Sequence, residues 1–106
     1  MKVKKTVEVK GLTNQILIAW MVSKWVYFEL GLNNHAMTSG SGGRHSYGSL
    51  HFNGNAIDIR SKDNEGVYFT KSFGDKVAET IASRLPNDYD IIFETNHIHM
   101  EWQPKK

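Results

Sequence analysis

The sequence predicts an α+β fold in which a small antiparallel sheet has helices packed on one of its sides. Two observations carry this prediction: an apolar stripe with helical spacing near residues 72–85, and two C-terminal segments whose apolar residues alternate as in strands. The 106 residues fit a single domain that spans positions 1–106. A hydrophobic content of 40%, together with 23% charged residues, is typical of a globular protein and argues against disorder.

The first helix is predicted to begin beside Thr13 or Asn14, either of which can cap it, and to end near Leu30. Gly31 follows as a typical C-terminal stop. Apolar residues occupy most sides of its first two turns, so we expect it to be the central buried helix. Its large aromatic residues are therefore predicted to lie in the core: Trp20, Trp25 and Phe28.

The second helix has the clearest periodicity in the sequence. Ser72 is spaced like a cap from Asp75, three residues further on, and Pro86 ends the helix. Its single apolar stripe consists of Val77, Ala78, Ile81, Ala82 and Leu85.

The other ordered segments are predicted to be strands. Residues 2–10 alternate valine and lysine, which is typical of an edge strand or of an unpaired arm. Further strands are expected at 36–39, 49–51, 56–60, 89–94 and 97–102.

The last two strands form an antiparallel hairpin with one polar face. Because residues two apart in a strand share a face, His97, His99 and Glu101 project to one side and the apolar residues between them to the other. If the loop consists of residues 95–96, Glu94 sits directly across from His97 on the same face. These groups are able to bind a metal or move a proton, although a merely exposed sheet face would show the same pattern.

A second group of candidate residues precedes the second helix. His51 and Asp58 are seven positions apart, and a turn at residues 53–54 would fold the chain back so that both reach one point. Gly54 and Ala56 are small, which would let the backbone pass close to a filled site.

The sequence allows two kinds of partner for Asp58. Asp58 stands between two core isoleucines, and an unpaired buried carboxylate is very costly. A cation shared with histidines would meet its need, and so would a salt bridge to Arg60 or Lys62. The chain contains no cysteine, so any metal must be held by histidines and carboxylates.

Four motifs together resemble those of a known superfamily. Residues 49–58 read Ser-x-His-x-x-Gly-x-Ala-x-Asp, and the hairpin reads Glu-x-x-His-x-His over residues 94–99. Upstream, Thr-Ser-Gly at 38–40 and Gly-Arg-His-Ser at 43–46 also match. In order and spacing, the chain is similar to the D-Ala-D-Ala metallopeptidase and hedgehog superfamily across roughly residues 36–102. Within it, the chain looks most like small bacteriophage-type cell-wall peptidases, and the resemblance implies a hedgehog-like fold.

The resemblance implies one zinc ion bound by His51, Asp58 and His99. Three protein ligands leave a fourth position for water, as hydrolytic zinc requires. One departure leaves an alternative open, because two residues separate Glu94 from His97 and hedgehog-like members have three. In members with a Glu-x-x-His arrangement that histidine is the ligand, and His97 would then bind zinc with His99 as its neighbour. We favour His99, because His-x-His pairs elsewhere in the superfamily use the second histidine.

The resemblance also implies the catalytic and substrate-binding residues. Glu94 matches the carboxylate that takes the proton of the zinc-bound water and passes it to the leaving amine. His97 would stabilise the oxyanion, and His45 matches a second histidine for this role. Arg44 and Ser49 are the expected substrate-binding residues, the first for a carboxylate and the second to orient the site by hydrogen bonding.

The predicted function is that of a zinc-dependent peptidase acting on the stem peptides of bacterial peptidoglycan. The bond would be D-Ala-D-Ala for a carboxypeptidase, or L-Ala-D-Glu for an endopeptidase. Two alternatives stay open: a zinc-binding module without catalysis, and a structural component of a phage or virion assembly. Glu94 favours the enzyme, since an inactive module needs no base beside a zinc-bound water.

Charge and hydropathy set the expected partners and location. The formal net charge is +2 and the excess lysines lie at the termini, so no specific nucleic-acid partner is expected. The apolar run at 16–22 is too short to span a bilayer and has no signal-peptide cleavage site. We expect a monomer without transmembrane segment or signal peptide, made in the cytoplasm and acting at the cell wall after release at host lysis.

Overall fold

A computed structural model gives the structure of residues 2–5, 7–40 and 54–103. Its elements, in chain order, are β1 (Lys2–Val3), α1 (Asn14–Glu29), β2 (Ala36–Ser39), β3 (Ala56–Arg60), α2 (Lys71–Ser83), β4 (Tyr89–Glu94) and β5 (His97–Trp102). Within these residues the strands form one five-stranded sheet in the order β1-β2-β3-β5-β4. The predicted α+β class is confirmed. The sheet is mixed, because β1 is parallel to β2 through the α1 crossover while the other neighbours are antiparallel.

Both helices pack on one face of the sheet, as predicted. Alternate residues of β3 and β5 are fully buried on that face: Ile57, Ile59, Ile98 and Met100. Ile16 of α1 and Ile81 of α2 belong to the same core cluster. The intervening residues of β3 and β5 therefore project away from the helices. In the part of the chain described, no helix is both long and apolar enough to cross a membrane.

α1 begins and ends where the sequence predicts, but it is not the central buried helix. Thr13 Oγ1 accepts a hydrogen bond from a first-turn backbone N–H (3.3 Å), and Gly31 follows the helix with a φ of 73°. Trp20 is buried as expected, whereas Trp25 and Phe28 are 60% and 71% exposed, so their predicted place in the core is wrong. In a two-layer domain the outer side of a helix faces solvent, however apolar its residues are.

α2 has the predicted stripe but a different cap. Thr70, and not Ser72, is the N-cap, and its side chain accepts a hydrogen bond from the backbone N–H of Phe73 (3.3 Å). Thr70 is extended, with a ψ of 161°, and the helix begins at the next residue. Asp75 pairs instead with Lys71, one turn away, at 2.8 Å.

The hairpin of β4 and β5 has the predicted bounds and the predicted two-residue loop. Thr95 in this loop has a φ of 42°, the left-handed conformation that tight hairpin turns use. Within the predicted strand at 2–10, the edge strand paired with β2 spans Lys2–Val3. The backbone N–H of the next residue, Lys4, also donates to the carbonyl of Met37. The strand expected at 49–51 lies outside the described residues.

His35 lies in the loop between α1 and β2, and its ring is buried. Its Nε2 is 2.7 Å from the hydroxyl of Ser23, and its ring meets that of Tyr27 edge-on at a centroid distance of 4.9 Å. Burial lowers the pKa of His35 to about 4, and the positive charge of Lys24 adds to this effect. The ring is therefore neutral at physiological pH.

The free energy of unfolding is expected to fall as the pH drops from about 6.5 to about 4. In this range the unfolded chain binds a proton at His35 that the folded protein does not, so stability rises with pH. The whole effect amounts to about 3 kcal/mol. Urea denaturation of wild type and His35→Gln at neutral and acidic pH measures it, and the variant should lose this part of the pH dependence. Parallel pH profiles for the two proteins would contradict the prediction.

Candidate functional site

The candidate site lies on the sheet face opposite the helices. Asp58 on β3 is directly opposite His99 on β5, and Glu94 on β4 is directly opposite His97. Because residues two apart in a strand share a face, His97, His99 and Glu101 project to the same side. The predicted position of Glu94 across the turn from His97 is confirmed. Three adjacent strands thus bring carboxylates and imidazoles together.

His99 is held between two carboxylates. Its Nδ1 lies 2.8 Å from Oδ1 of Asp58, and its Nε2 lies 2.7 Å from Oε1 of Glu101. The hydrogen bond to Asp58 is the main cause that raises the pKa of His99 to about 9; burial opposes this rise and the bond to Glu101 adds to it. At neutral pH the ring is charged and donates to both carboxylates. All three side chains are less than one-fifth exposed, so the arrangement is well shielded from water.

His97 lies nearer to solvent, at the turn. Its Nε2 is 3.6 Å from Oε1 of Glu94 and 3.8 Å from Oδ1 of Asp58, and its Nδ1 is 2.8 Å from Oδ1 of Asn96. The side chain of Glu94 is 53% exposed. The site therefore combines a shielded pair, Asp58 and His99, with two more exposed side chains, His97 and Glu94.

The histidines, and not the neighbouring cations, are the described partners of Asp58. Arg60 donates a hydrogen bond from Nη1 to Oδ1 of Asn34 (3.0 Å), and Nζ of Lys62 lies 4.7 Å from the ring centroid of Tyr68. Neither forms an ion pair with Asp58, which lies within 4.0 Å of both hairpin histidines. The salt-bridge alternative for Asp58 is therefore wrong.

At Gly54 the backbone passes close to the N-terminal segment, whereas its predicted closeness to a filled site stays a prediction. It has a φ of 78°, and a Cβ there would overlap the carbonyl oxygen of Gly11. The backbone N–H of Thr13 donates to the carbonyl of Gly54 at 3.0 Å, which ties the start of β3 to the start of α1. The chain that passes close to Gly54 is thus its own N-terminal segment.

Half of the predicted site residues are placed by the structure. Asp58, Glu94, His97 and His99 come together on one face. The others lie outside the described residues: Arg44, His45, Ser49 and His51.

Two of the residues predicted as zinc ligands, Asp58 and His99, are in contact. In a tetrahedral site with bonds of about 2.0–2.2 Å, two ligand atoms lie about 3.3–3.6 Å apart. Oδ1 of Asp58 is 2.8 Å from Nδ1 of His99 and 3.8 Å from Nε2 of His97, and these separations bracket the required spacing. Among the described residues, however, no group of three or more His, Cys, Asp or Glu side chains is arranged to hold a metal ion. The predicted ligand His51 is not among those residues.

Two residues outside the predicted set of ligands, catalytic and substrate-binding residues contact the histidines. Glu101 accepts from Nε2 of His99, and Asn96 contacts Nδ1 of His97. The alternation of β5 places Glu101 on the polar face, so its signal was present in the sequence. The position of Asn96 depends on the conformation of the turn, which the sequence indicates only loosely.

The comparisons with known proteins add no relative. No protein-family model matches the chain, and neither a curated protein nor a solved structure matches it. The resemblance to the D-Ala-D-Ala metallopeptidase and hedgehog superfamily thus rests on the motif residues and stays a prediction.

Proposed function

We propose that this protein is a zinc-dependent peptidase that hydrolyses the stem peptides of bacterial peptidoglycan. One observation supports the proposal above all: Asp58 faces His99 across β3 and β5, and Glu94 and His97 lie beside them. Hydrolysis at a metal needs firmly held ligands next to a base that reaches solvent. The motif over residues 49–58 adds the remaining ligand and the resemblance to the superfamily.

The proposed zinc ligands are His51, Asp58 and His99. When bound, zinc supplies Lewis acidity and lowers the pKa of its water to about 7. Glu101 supports His99 as a zinc ligand. Its carboxylate accepts the hydrogen bond from Nε2, which leaves Nδ1, the ring nitrogen nearest Asp58, to bind the metal. His97 remains the alternative third ligand, since its Nε2 also faces Asp58.

Glu94 is the proposed general base. Its exposed carboxylate would take a proton from the attacking water and deliver it to the leaving amine. His97 would donate from Nε2 to the oxyanion, with Asn96 orienting its other nitrogen. Further proposed roles follow the motif: His45 in oxyanion stabilisation, Arg44 and Ser49 in substrate binding.

The proposed bonds are D-Ala-D-Ala at the end of the stem peptide and L-Ala-D-Glu within it. The proposed place of action is the cell wall, reached after release at host lysis.

Zinc content tests the proposal directly. The purified wild type is expected to bind one zinc ion, measured by inductively coupled plasma mass spectrometry after dialysis. Asp58→Asn and His99→Gln should bind at least about tenfold more weakly, because each loses a ligand. Asp90→Asn is the matched control, since Asp90 lies on the same sheet face, opposite Glu101.

The same measurement decides between the histidines. Loss of zinc in His97→Gln, with zinc retained in His99→Gln, would assign the third ligand to His97. A wild type that binds no zinc would overturn the proposed function. If the protein binds one zinc ion but releases no amine from stem peptides, it is a zinc-binding module and not an enzyme.

A further inference from the structure

A small pocket opens beside the candidate site, at the end of β3 where Arg60 pairs with His97. It has a volume of about 350 Å³. Asp58 and His97 form the wall that it shares with the site. Three cationic side chains and one aromatic ring also line it: Lys4, Arg60, Lys62 and Tyr68.

The cations are positioned by the fold. Arg60 is two residues from Asp58 on β3 and therefore projects to the same face, where Asn34 accepts a hydrogen bond from its Nη1 (3.0 Å). Lys62 forms an isolated β-bridge with Tyr68 and lies over its ring. Lys4 follows β1, and its backbone N–H donates to the carbonyl of Met37 on β2 (2.8 Å).

The pocket carries more positive than negative charge. Three cationic side chains and one carboxylate, Asp58, are among the residues that line it. Within the described residues, none of the three cations forms an ion pair with a carboxylate. Converging cations raise the local concentration of an anion, and the fork of an arginine suits a carboxylate in particular.

We propose that this pocket binds a carboxylate of the substrate, the one nearest to the bond that is hydrolysed. The inference rests on the proposed function, because it takes the neighbouring site as the place of hydrolysis. Arg60 and Lys62 hold the carboxylate, and Lys4 adds its charge at the rim. The substrate is then a peptide with a free carboxylate, and its scissile bond lies toward His97. Two carboxylates of a stem peptide have this chemistry: the α-carboxylate of D-Glu and the terminal carboxylate of D-Ala.

Binding to amidated peptides tests this inference without hydrolysis. The probe is the pentapeptide L-Ala-γ-D-Glu-L-Lys-D-Ala-D-Ala, compared with one form amidated at the α-carboxylate of D-Glu and one amidated at its C-terminus. Isothermal titration calorimetry is carried out on the protein in excess chelator, so that no bond is cleaved. One of the two amidations is expected to weaken binding about tenfold or more, as loss of a charge-assisted hydrogen bond should. The sensitive position identifies which carboxylate the pocket holds.

Charge-neutralising variants link that preference to the pocket. Arg60→Gln and Lys62→Gln should each reduce the discrimination between acid and amide, and the double variant should remove it. Lys62→Gln keeps the test valid if Arg60→Gln, which loses its bond to Asn34, proves unstable. Lys76→Gln on the exposed side of α2 is the control with the same charge change, and it should discriminate like the wild type.

Two outcomes overturn the inference. One is equal binding of the acid and both amides; the other is a preference for the acid that survives in the double variant. Failure of the proposed function is distinct from either, because it shows itself as absent zinc and absent hydrolysis. If the protein hydrolyses stem peptides but binds the acid and both amides equally, the proposed function stands and the carboxylate-binding pocket is ruled out.

Discussion

Glu94→Gln is expected to reduce the kcat for stem-peptide hydrolysis by about 10²- to 10⁴-fold and to leave bound zinc unchanged. Glutamine occupies the same volume but cannot accept the proton of the attacking water. Glu94 lies beside His97 at the exposed end of the site and is not one of the proposed ligands, so its replacement should spare the metal. Hydrolysis is measured as release of free amine from a defined pentapeptide, and zinc by mass spectrometry on the same samples.

The matched control is Glu79→Gln, which removes one carboxylate from the exposed side of α2. It should hydrolyse the peptide at the wild-type rate, which would exclude an effect of net charge. Full activity of Glu94→Gln would contradict the role of Glu94 as general base. Joint loss of activity and zinc would instead assign Glu94 to the metal.

Gly54→Ala is expected to lower the free energy of unfolding by about 3 kcal/mol or more. A left-handed φ costs an alanine roughly 1–2 kcal/mol, and the overlap of its Cβ with a backbone atom adds about 1–3 kcal/mol. The backbone atom is the carbonyl oxygen of Gly11, which is less free to move away than the end of a flexible side chain. Since a small domain has a stability of about 5–15 kcal/mol, the loss should be evident in urea denaturation.

Gly31→Ala and Gly66→Ala separate the two causes. Both glycines have a positive φ, 73° and 83°, but a Cβ at either meets no atom within 4 Å. They should therefore lose only the conformational part, roughly 1–2 kcal/mol. A Gly54→Ala variant no less stable than these controls would show that residues 11–12 do not pack closely on Gly54.

Local signals predicted most of the secondary structure correctly. The cap at Thr13, the stop at Gly31 and the strand alternation from Tyr89 to Trp102 each act within a few residues, so they act before any tertiary contact forms. The pairing of Glu94 with His97 follows from the same hairpin. Thr70 was missed as a cap because it and Ser72 have equally suitable side chains, and the geometry of the preceding loop decides between them.

Local signals could not predict the contacts between residues that are far apart in the sequence. Trp25 and Phe28 carry the composition of a core but lie on the side of α1 that no described element covers. Arg60 and Lys62 were equally good partners for Asp58 in sequence, and their true neighbours, Asn34 and Tyr68, depend on how the loops pack.

The sequence by itself determined the α+β class, the hairpin and the polar face that carries Glu94, His97 and His99, because these depend on the period of a strand and the length of a turn. Only the tertiary structure decided that Asp58 meets His99. That contact joins residues 41 positions apart, and it exists because β3 pairs with β5 in one register. A shift of one residue would turn Asp58 into the core and an isoleucine onto the site, and the burial of Ile57 and Ile59 is the physical reason that the register holds.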